Sequence, residues 1–297
     1  VRKVIKLAEL DQADIKPANL PQDPHFLITG GANGITAEIA LGLAGQIKGK
    51  YTLIGRTTLP DNVPQLAAMD ENQLNRERDK IFKQLQMTSP KATPLMAQME
   101  FEKLTKAVSA YRLIERIKNT GSQVLYLSCD VRSDKDLRTA VHSAVKHFGP
   151  IHVLIHGAGV EKSHLISDKS LAEFKEVFSA KAEGICNQFR IIDPEQLKVV
   201  IGFSSISGRF GNEAQLDYCA ANCFLSSYLR KIKNDYPHIH TLSIAWSGWK
   251  EVGMAWRNDF VKNHSEEMGL NLIEPNRGVQ AMIKLLTHRL NHHEVVV

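Results

Sequence analysis

A serine, a tyrosine and an asparagine fall within one short run, FSSISGRFGNEAQLDYCAAN, which ends at Asn222. Ser205 lies 13 positions before Tyr218 (218 − 205), and Asn222 lies four positions after the tyrosine. Residues four apart share a helix face, so we expect Tyr218 and Asn222 side by side. Reduction of a ketone by hydride needs an acid for the developing alkoxide and a second donor for its oxygen. Tyr218 and Ser205 carry the groups that suit these two tasks.

A Ser/Tyr pair is also explained by a capped helix with a core tyrosine, so the chemical interpretation depends on a cofactor site upstream. Phe26–Thr29 predicts a short buried strand, and an alanine- and leucine-rich helical stretch begins at Ala37. A glycine loop between a strand and a helix directs backbone N–H groups and the helix dipole at a pyrophosphate. The candidate contacts in this loop are Gly30, Gly31, Asn33, Gly34 and Ile35.

The glycine spacing departs from the strict G-x-G-x-x-G, since Thr36 stands where another small residue is common, and the loop alone leaves nucleotide binding open. The second strand strengthens the case. Tyr51–Gly55 predicts a strand that ends at Arg56 and Thr57, with no acidic residue to hold a ribose diol. An arginine at this place suits a 2′-phosphate, which predicts NADPH rather than NADH. The alternative for Arg56 is a solvated surface arginine.

With these segments identified, the chain resembles the ketoreductase domains of polyketide synthases and polyunsaturated fatty acid synthases, within the short-chain dehydrogenase/reductase superfamily. The resemblance extends from about Phe26 to Leu286 and rests on seven motifs in order. They are TGGANGIT, LIGR, CDV at 129–131, HGAG at 156–159, the lysine of FSAKAEG, FSS…Y…AAN, and AWSGW at 245–249 followed by GM at 253–254. The resemblance implies an α/β fold with a doubly wound, Rossmann-like parallel sheet.

Further cofactor contacts follow from the resemblance by position. Asp130 and Val131 match the pair that borders the adenine in the family. His156, Gly157 and Ala158 match the end of a strand where small residues let the backbone approach the cofactor ribose. These five positions complete the expected NADPH site.

Lys181 and Asn222 match an exchange of two residues that is typical of polyketide ketoreductases. The superfamily at large has Y-x-x-x-K with an asparagine upstream, whereas here Lys181 lies 37 positions before Tyr218 (218 − 181). The resemblance implies that Lys181, Ser205, Tyr218 and Asn222 form the catalytic set. A nearby ammonium would favour the ionised phenol and lower the pKa of Tyr218. Taken alone, Lys181 would be interpreted as an exposed helix lysine.

Two departures from the family leave the handedness of the product open. The segment Val160–Ser163 replaces the Leu-Asp-Asp marker of one stereochemical class, and Gly208–Gly211 lacks the tryptophan of the other. The run RFGN and a long insertion make the chain more similar to polyunsaturated fatty acid synthases and related iterative enzymes than to assembly-line modules.

Domain boundaries follow from changes in composition along the chain. Residues 1–24 read as a basic strand-like piece and a Pro/Asp-rich linker, which we interpret as the remnant of a preceding structural subdomain. Residues 25–297 form the NADPH-binding catalytic domain. A charged helical insertion at about 59–112 interrupts this domain after its second strand, and we assign no chemistry to it.

Residues 249–276 match the mobile lid over the substrate in the family, with Trp249, Gly253 and Met254 as its expected contacts. The alternative for this segment is a helix that packs on the core. If the lid assignment holds, substitution at Gly253 or Met254 should change the KM for substrate with little effect on NADPH binding.

Composition narrows the classes of partner. A chain of 297 residues that is 43% hydrophobic can form one α/β domain with an elaboration. No apolar run approaches the roughly 18 residues of a membrane span, and the net charge of +5 is dispersed, so neither a membrane nor nucleic acid is predicted as a partner. No metal site is predicted. We interpret the four cysteines as small buried residues, which fits a reducing cytoplasm. They are Cys129, Cys186, Cys219 and Cys223.

These observations predict a cytoplasmic, NADPH-dependent reductase of a 3-oxoacyl thioester bound to an acyl carrier protein. Because the chain begins at Val1 and lacks an initiator methionine, we expect it to be a segment of a larger synthase with neighbouring domains. One alternative is a freestanding reductase of small ketones. The absence of an initiator methionine and the Lys/Asn exchange argue against it. Another alternative is a redox-silent domain that serves architecture or carrier docking. The intact catalytic set and the glycine loop argue against that. Acyl chain length and substituents are left open.

Overall fold

The structure is a computed structural model that describes residues 15–89, 91–256 and 271–297. Most of the N-terminal segment and the central part of the expected lid therefore lie outside the described residues. In the described ranges no helix is long and apolar enough to span a membrane.

Nine strands are described, seven of which form one parallel sheet. The strands are β1 (Ile15–Pro17), β2 (His25–Thr29), β3 (Lys50–Gly55), β4 (Gln123–Ser128), β5 (Val153–His156), β6 (Val199–Ser205), β7 (His240–Trp246), β8 (His288–Leu290) and β9 (Glu294–Val296). The sheet has the spatial order β4-β3-β2-β5-β6-β7-β9, and β1 pairs with β8 as a separate antiparallel ribbon. The chain winds outward from β2 to one edge and then from β5 to the other. This confirms the predicted doubly wound fold.

Helices cover both faces of the sheet. They are α1 (Gly34–Gln46), α2 (Val63–Ala67), α3 (Glu71–Thr88), α4 (Pro94–Asn119), α5 (Asp134–Phe148), α6 (Leu171–Ile191), α7 (Ser207–Phe210), α8 (Leu216–Asp235), α9 (Gly253–Trp256) and α10 (Pro275–Thr287). Successive side chains of β2 enter two separate cores: Phe26 and Ile28 pack with α1, α4 and α10, and Leu27 packs with α5, α6 and α8. Because the central strands are buried on both faces, their sequences are nearly continuous apolar runs.

The predicted helical insertion follows β3 and merges with the sheet. Helices α2, α3 and the middle of α4 share a small core that includes Leu66, Leu74 and Val108. The second half of α4 packs on the main core through Leu113 and Ile117. One 26-residue helix therefore belongs both to the insertion and to the crossover between β3 and β4. The end expected near residue 112 falls inside this helix.

Trp249 lies in the core, and its expected role as a lid contact is wrong. Its side chain is 0% exposed, and its ring meets that of Trp246 edge-on, with the centroids 5.2 Å apart. The indole also fills the space beside Gly278 of α10, where an added Cβ would lie 2.2 Å from Trp249 Cζ2. The sequence could not show this packing because Gly278 lies outside the predicted lid.

Candidate active site

The carboxyl ends of the neighbouring strands β2, β5 and β6 lie together on one side of the sheet, which is called the carboxyl edge below. The parallel register aligns Thr29 with His156, and His156 with Gly202. Between β2 and β5 the strand order reverses, and open α/β sheets bind ligands outside the carboxyl ends of the strands at such a point. The glycine loop, the HGAG turn and Ser205 are thereby brought together.

The backbones of the glycine loop and the HGAG turn nearly touch at this edge. Gly30 has a φ of 73°, and its N–H donates to Ile54 O at 2.8 Å. A Cβ on Gly30 would lie 2.8 Å from Gly157 O and from Ala158 N, and a Cβ on Gly157 would lie 2.6 Å from Thr36 Oγ1. Only glycine fits at Gly30 and Gly157. Thr36, which departs from the usual spacing, packs directly against this contact.

The start of α1 has the properties of an anion-binding site. Asn33 occupies the N-cap in an extended conformation without a side-chain capping bond, and Gly34 has a φ of 62°. The first turn contains no acidic residue. Free N–H groups and the positive end of the helix dipole at this place suit a phosphate. The predicted Asn33, Gly34 and Ile35 therefore fit the pyrophosphate of a nicotinamide cofactor, whereas the N–H groups of the predicted Gly30 and Gly31 both donate to Ile54 O and shape the loop.

Arg56 lies exposed directly after β3, where a 2′-phosphate was expected. The Tyr126 hydroxyl donates to the carbonyl of the next residue, Thr57, at 2.7 Å and holds this turn. Nearby, Asp130 is paired with Arg132, whose Nη2 lies 2.6 Å from Asp130 Oδ2. The hydrogen-bonded Arg132 holds the pKa of Asp130 below its usual range, and Arg56 acts more weakly in the same direction. Asp130 is therefore ionised at neutral pH, and Arg132 neutralises most of its charge.

The turn after β4 is anchored by α6. Val131 is buried, and its carbonyl accepts a hydrogen bond from Asn187 Nδ2 at 3.1 Å. The absence of a side chain at Gly184 makes room for Val131, since an added Cβ would lie 3.0 Å from Val131 Cγ2. These contacts hold the turn that carries Asp130 and Val131 at the predicted adenine end of the site.

His156 has a structural role and is too deeply buried to contact a cofactor. It is 0% exposed, and its Nε2 donates to Lys181 O at 3.0 Å. Its Nδ1 lies 2.9 Å from Thr29 Oγ1 and 2.7 Å from Gln188 Nε2. Burial lowers the pKa of His156 to about 3, so the ring stays neutral. The backbone approach to the ribose is therefore expected at the two small residues that follow, Gly157 and Ala158. The histidine side chain connects β5 to β2 and α6 through its hydrogen bonds.

Lys181 is buried on α6, contrary to the exposed lysine that its position alone would suggest. It is 4% exposed, and its Nζ donates to Phe203 O of β6 at 2.6 Å. A Cβ on Gly159 would lie 3.3 Å from Lys181 Cε, so the lysine also borders the turn after β5. Burial lowers the pKa of Lys181 to about 8. The ammonium is therefore the main form at neutral pH, although the site disfavours it.

Ser205 is the last residue of β6, and its hydroxyl is held by the following turn. The Ser207 N–H donates to Ser205 Oγ at 3.2 Å, and the two hydroxyl oxygens lie 3.3 Å apart. Helix α7 then packs closely on α8 at Gly208, where an added Cβ would lie 2.7 Å from Asn222 Cβ. The serine is thereby placed against the helix that carries the tyrosine.

Tyr218 and Asn222 lie one turn apart on α8, as the spacing predicts. Asn222 is 0% exposed, and its Nδ2 donates to the Tyr218 carbonyl at 2.8 Å. Asn222 Oδ1 is buried and has no hydrogen-bond partner among the described residues.

Burial raises the pKa of Tyr218, and the neighbouring Asn222 and Ser205 side chains act in the opposite direction. The pKa of Tyr218 is therefore raised overall, because loss of solvation dominates, and a lowering of this pKa by Lys181 stays a prediction. A phenol with a raised pKa stays protonated at neutral pH, which is the form that an acid requires.

Gly253 lies directly over the glycine loop. It has a φ of 90°, and an added Cβ would lie 3.0 Å from Ile35 Cδ1. A Cβ on Gly34 would in turn lie 3.8 Å from Gly253 Cα. Substitution at Gly253 would therefore disturb the cofactor loop, so its expected effect on substrate alone is corrected. Met254 is 38% exposed and stays a predicted substrate contact, while residues 257–270 of the expected lid lie outside the described residues.

Four residues that support the site were missed from the sequence. Ser207 holds the serine hydroxyl, Arg132 neutralises Asp130, and Lys169 forms a buried ion pair with Asp217. Asp217, which directly precedes Tyr218, was a visible signal in the sequence. Its partner Lys169 lies 48 positions away in the chain and could not be identified from the sequence. Among the described residues, no group of three or more His, Cys, Asp or Glu side chains could hold a metal ion.

Comparison with known proteins identifies the family. A family model described as the KR domain matches residues 25–251. The chain belongs to the KR domain family. A polyunsaturated fatty acid synthase of Thraustochytrium sp. is 28% identical to it over 273 residues, which are 90% of this chain and 10% of that protein. Polyketide synthase PksN of Bacillus subtilis is 28% identical over 175 residues, which are 58% of this chain and 3% of that protein.

This KR domain also has the fold of solved ketoreductases. The ketoreductase from the first module of phoslactomycin biosynthesis in Streptomyces sp. HK803 matches it with a TM-score of 0.70 at 20% identity, covering 95% of this chain and 54% of that chain. The predicted family, that of ketoreductase domains, is confirmed by the match to the KR domain model. The chain spans a tenth or less of the length of the two synthases it matches.

Lys181→Met is expected to raise the free energy of unfolding at pH 7 by about 1–3 kcal/mol, after allowance for the lost bond to Phe203 O. Lysine has a pKa of about 10.4 in an unfolded chain, whereas burial lowers the pKa of Lys181 to about 8. Below pH 8 both states are charged, so the folded state bears the full cost of the buried ammonium. As the pH rises from 8 to about 10.4, only the folded state loses this proton, and the wild type gains stability.

Urea unfolding at pH 7 and pH 10 measures this difference, which should shrink as the pH rises. Lys175→Met, an exposed lysine of the same helix, is the matched control and should keep the wild-type pH dependence. An equal pH dependence in Lys181→Met and wild type would contradict a buried ammonium at this place.

Proposed function

We propose that this KR domain is the ketoreductase of a multidomain polyketide or polyunsaturated fatty acid synthase, and that it uses NADPH to reduce a 3-oxoacyl thioester on an acyl carrier protein to the 3-hydroxyacyl thioester. The observation that carries the proposal is that Ser205 ends β6, that buried Lys181 donates to Phe203 O of the same strand, and that Ser205 acts on the pKa of Tyr218, all beside the point where the strand order reverses. This chain matches only 10% and 3% of the length of the two synthases named above, which supports neighbouring domains as partners.

The glycine loop and Arg56 are the groups that would hold NADPH. The loop offers unpaired N–H groups at the start of α1, and the exposed guanidinium of Arg56 offers a charge-assisted contact to a 2′-phosphate. When bound, NADPH supplies the hydride that the 3-keto carbon accepts.

Tyr218 donates its proton to the oxygen of the reacting carbonyl, while Ser205 holds that oxygen by a hydrogen bond. The raised pKa of Tyr218 keeps the proton on the phenol until negative charge develops on the substrate. Lys181 supports the tyrosine through the positive potential of its buried ammonium and can pass on a proton, since its pKa of about 8 is near the working pH. Asn222 Oδ1, buried without a partner among the described residues, is left to accept a hydrogen bond in this relay.

The substrate is expected to reach the site beneath the segment that carries Met254, which is 38% exposed. The mild positive net charge of +5 suits an acidic carrier protein. A reducing cytoplasm suits the four cysteines, all of which are free thiols.

Tyr218→Phe is expected to lower turnover of a short 3-oxoacyl thioester by about 10²–10⁴-fold, because it removes the acid and keeps the ring. Ser205→Ala should cause a comparable loss, since the oxygen loses its second donor. Because both groups act on one atom, the double variant should lose less than the product of the two factors. The loss of reduced nicotinamide, followed by absorbance, measures each rate.

Tyr228→Phe on the same helix is the matched control for this series and should turn over normally. A folded Tyr218→Phe variant with near-normal ketone reduction would reject Tyr218 as the acid and would favour a domain kept for architecture or carrier docking.

Arg56→Ala is expected to weaken NADPH binding by about 10- to 100-fold and to leave NADH binding nearly unchanged, because one charge-assisted contact to the 2′-phosphate is lost. Titration of each cofactor by fluorescence gives both dissociation constants. Arg230→Ala, an exposed arginine on α8, serves as the control and should affect neither. Equal losses for both cofactors in Arg56→Ala would remove Arg56 from the phosphate site.

A further inference from the structure

A buried ion pair lies next to the proposed acid and has no part in the mechanism above. Asp217 directly precedes Tyr218 in the first turn of α8, and its side chain is 0% exposed, while that of Lys169 is 3% exposed. Lys169 Nζ lies 2.7 Å from Asp217 Oδ2. The other carboxylate oxygen, Oδ1, accepts a hydrogen bond from the backbone N–H of Tyr218 at 2.9 Å. One carboxylate therefore joins a buried cation to the backbone of the proposed acid.

Lys169 connects three parts of the molecule. Besides its bond to Asp217, the ammonium donates to Lys162 O at 2.8 Å and to Glu173 Oε1 at 3.3 Å. An ammonium has three N–H donors, so all of them are used. The acceptors belong to the loop after β5, the first turn of α6 and the first turn of α8. The lysine thus holds the start of α8 against the segment that leaves the HGAG turn.

A second contact joins the same segments. His164 Nδ1 lies 2.6 Å from Glu173 Oε1, and the backbone N–H of His164 donates to Ala214 O at 2.9 Å. Ala214 has a φ of 62° and lies just before α8. The loop between β5 and α6 therefore contacts both the entry to α8 and its first turn.

The burial of the pair argues for positioning. Removing two charges from water costs much of what their attraction returns, and apolar replacement of both partners is often neutral or stabilising. Apolar side chains cannot accept the hydrogen bond that Asp217 receives from the Tyr218 amide. We infer that Lys169 and Asp217 form a positioning pair that holds the backbone of Tyr218, and with it the phenol, against Ser205 and the substrate. The inference rests on the proposed role of Tyr218 as the acid.

Two double variants separate positioning from stability. Lys169→Met with Asp217→Leu removes both charges and the acceptor for the Tyr218 amide. Lys169→Met with Asp217→Asn removes the same charges and keeps an acceptor oxygen at Oδ1. Both are expected to avoid the unpaired buried charge that a single variant would leave, and so to unfold near the wild-type temperature.

We expect the Leu double variant to lose about 10- to 100-fold in kcat for a short 3-oxoacyl thioester, because a shift of about 1 Å in a reacting group has an effect of this size. KM and the Kd for NADPH should not change. The Asn double variant should recover most of the lost kcat. Lys231→Met with Asp235→Leu removes an exposed ion pair of the same helix and should leave every constant unchanged. Equal kcat values in the Asn and Leu double variants would overturn the inference.

Hydrogen exchange at the Tyr218 amide tests the pair without catalysis. In the Leu double variant this amide should exchange faster than in the wild type, while the amides of Leu225 and Leu229 later in α8 keep their protection. The Asn double variant should keep the protection at Tyr218. If the wild type reduces no thioester, the proposed function fails, and the exchange result still decides whether the pair holds this backbone. Wild-type protection of Tyr218 in the Leu double variant would contradict the inference, whether or not kcat changes.

Discussion

The site depends on the close approach of two backbone segments at the carboxyl edge of the sheet. Gly30 lies so near the HGAG turn that an added Cβ would meet Gly157 O at 2.8 Å, and Gly157 itself has Thr36 Oγ1 against it. The approach follows from the parallel register of β2 and β5, in which Thr29 is aligned with His156. With this contact in place, the free N–H groups of α1 and the end of β6 come to lie at one edge of the sheet.

Burial decides the electrostatics of the proposed catalytic groups. It raises the pKa of Tyr218 and lowers that of Lys181 to about 8, so both side chains are shifted toward their neutral forms. A tyrosine that keeps its proton suits an acid, and a lysine near its pKa suits a proton relay. The buried pair of Lys169 and Asp217 differs, because its two charges are matched and fully bonded.

Local patterns predicted the elements of the sheet well and the surroundings of individual side chains poorly. The two strands predicted with limits, Phe26–Thr29 and Tyr51–Gly55, agree with β2 and β3 to within one residue, since apolar runs and glycine breaks are properties of neighbouring residues. Trp249, His156 and Gly253 belong to motifs of the family, but the residues that surround them in the fold are distant in the sequence. Gly278 accommodates the indole of Trp249, Gln188 and Thr29 bind the imidazole of His156, and Ile35 lies beneath Gly253. The partner of Asp217 was hidden for the same reason, because only the folded chain brings Lys169 to it.

The most direct test of hydride transfer at this edge of the sheet follows the atom itself. The protein is mixed with NADPH that carries deuterium at both C4 positions and with a short 3-oxoacyl thioester, and the product is analysed by mass spectrometry. We expect one deuterium per molecule, at carbon 3 of the 3-hydroxyacyl thioester. A folded protein that binds NADPH and yields no deuterated 3-hydroxyacyl product would contradict the assignment of this site to ketone reduction.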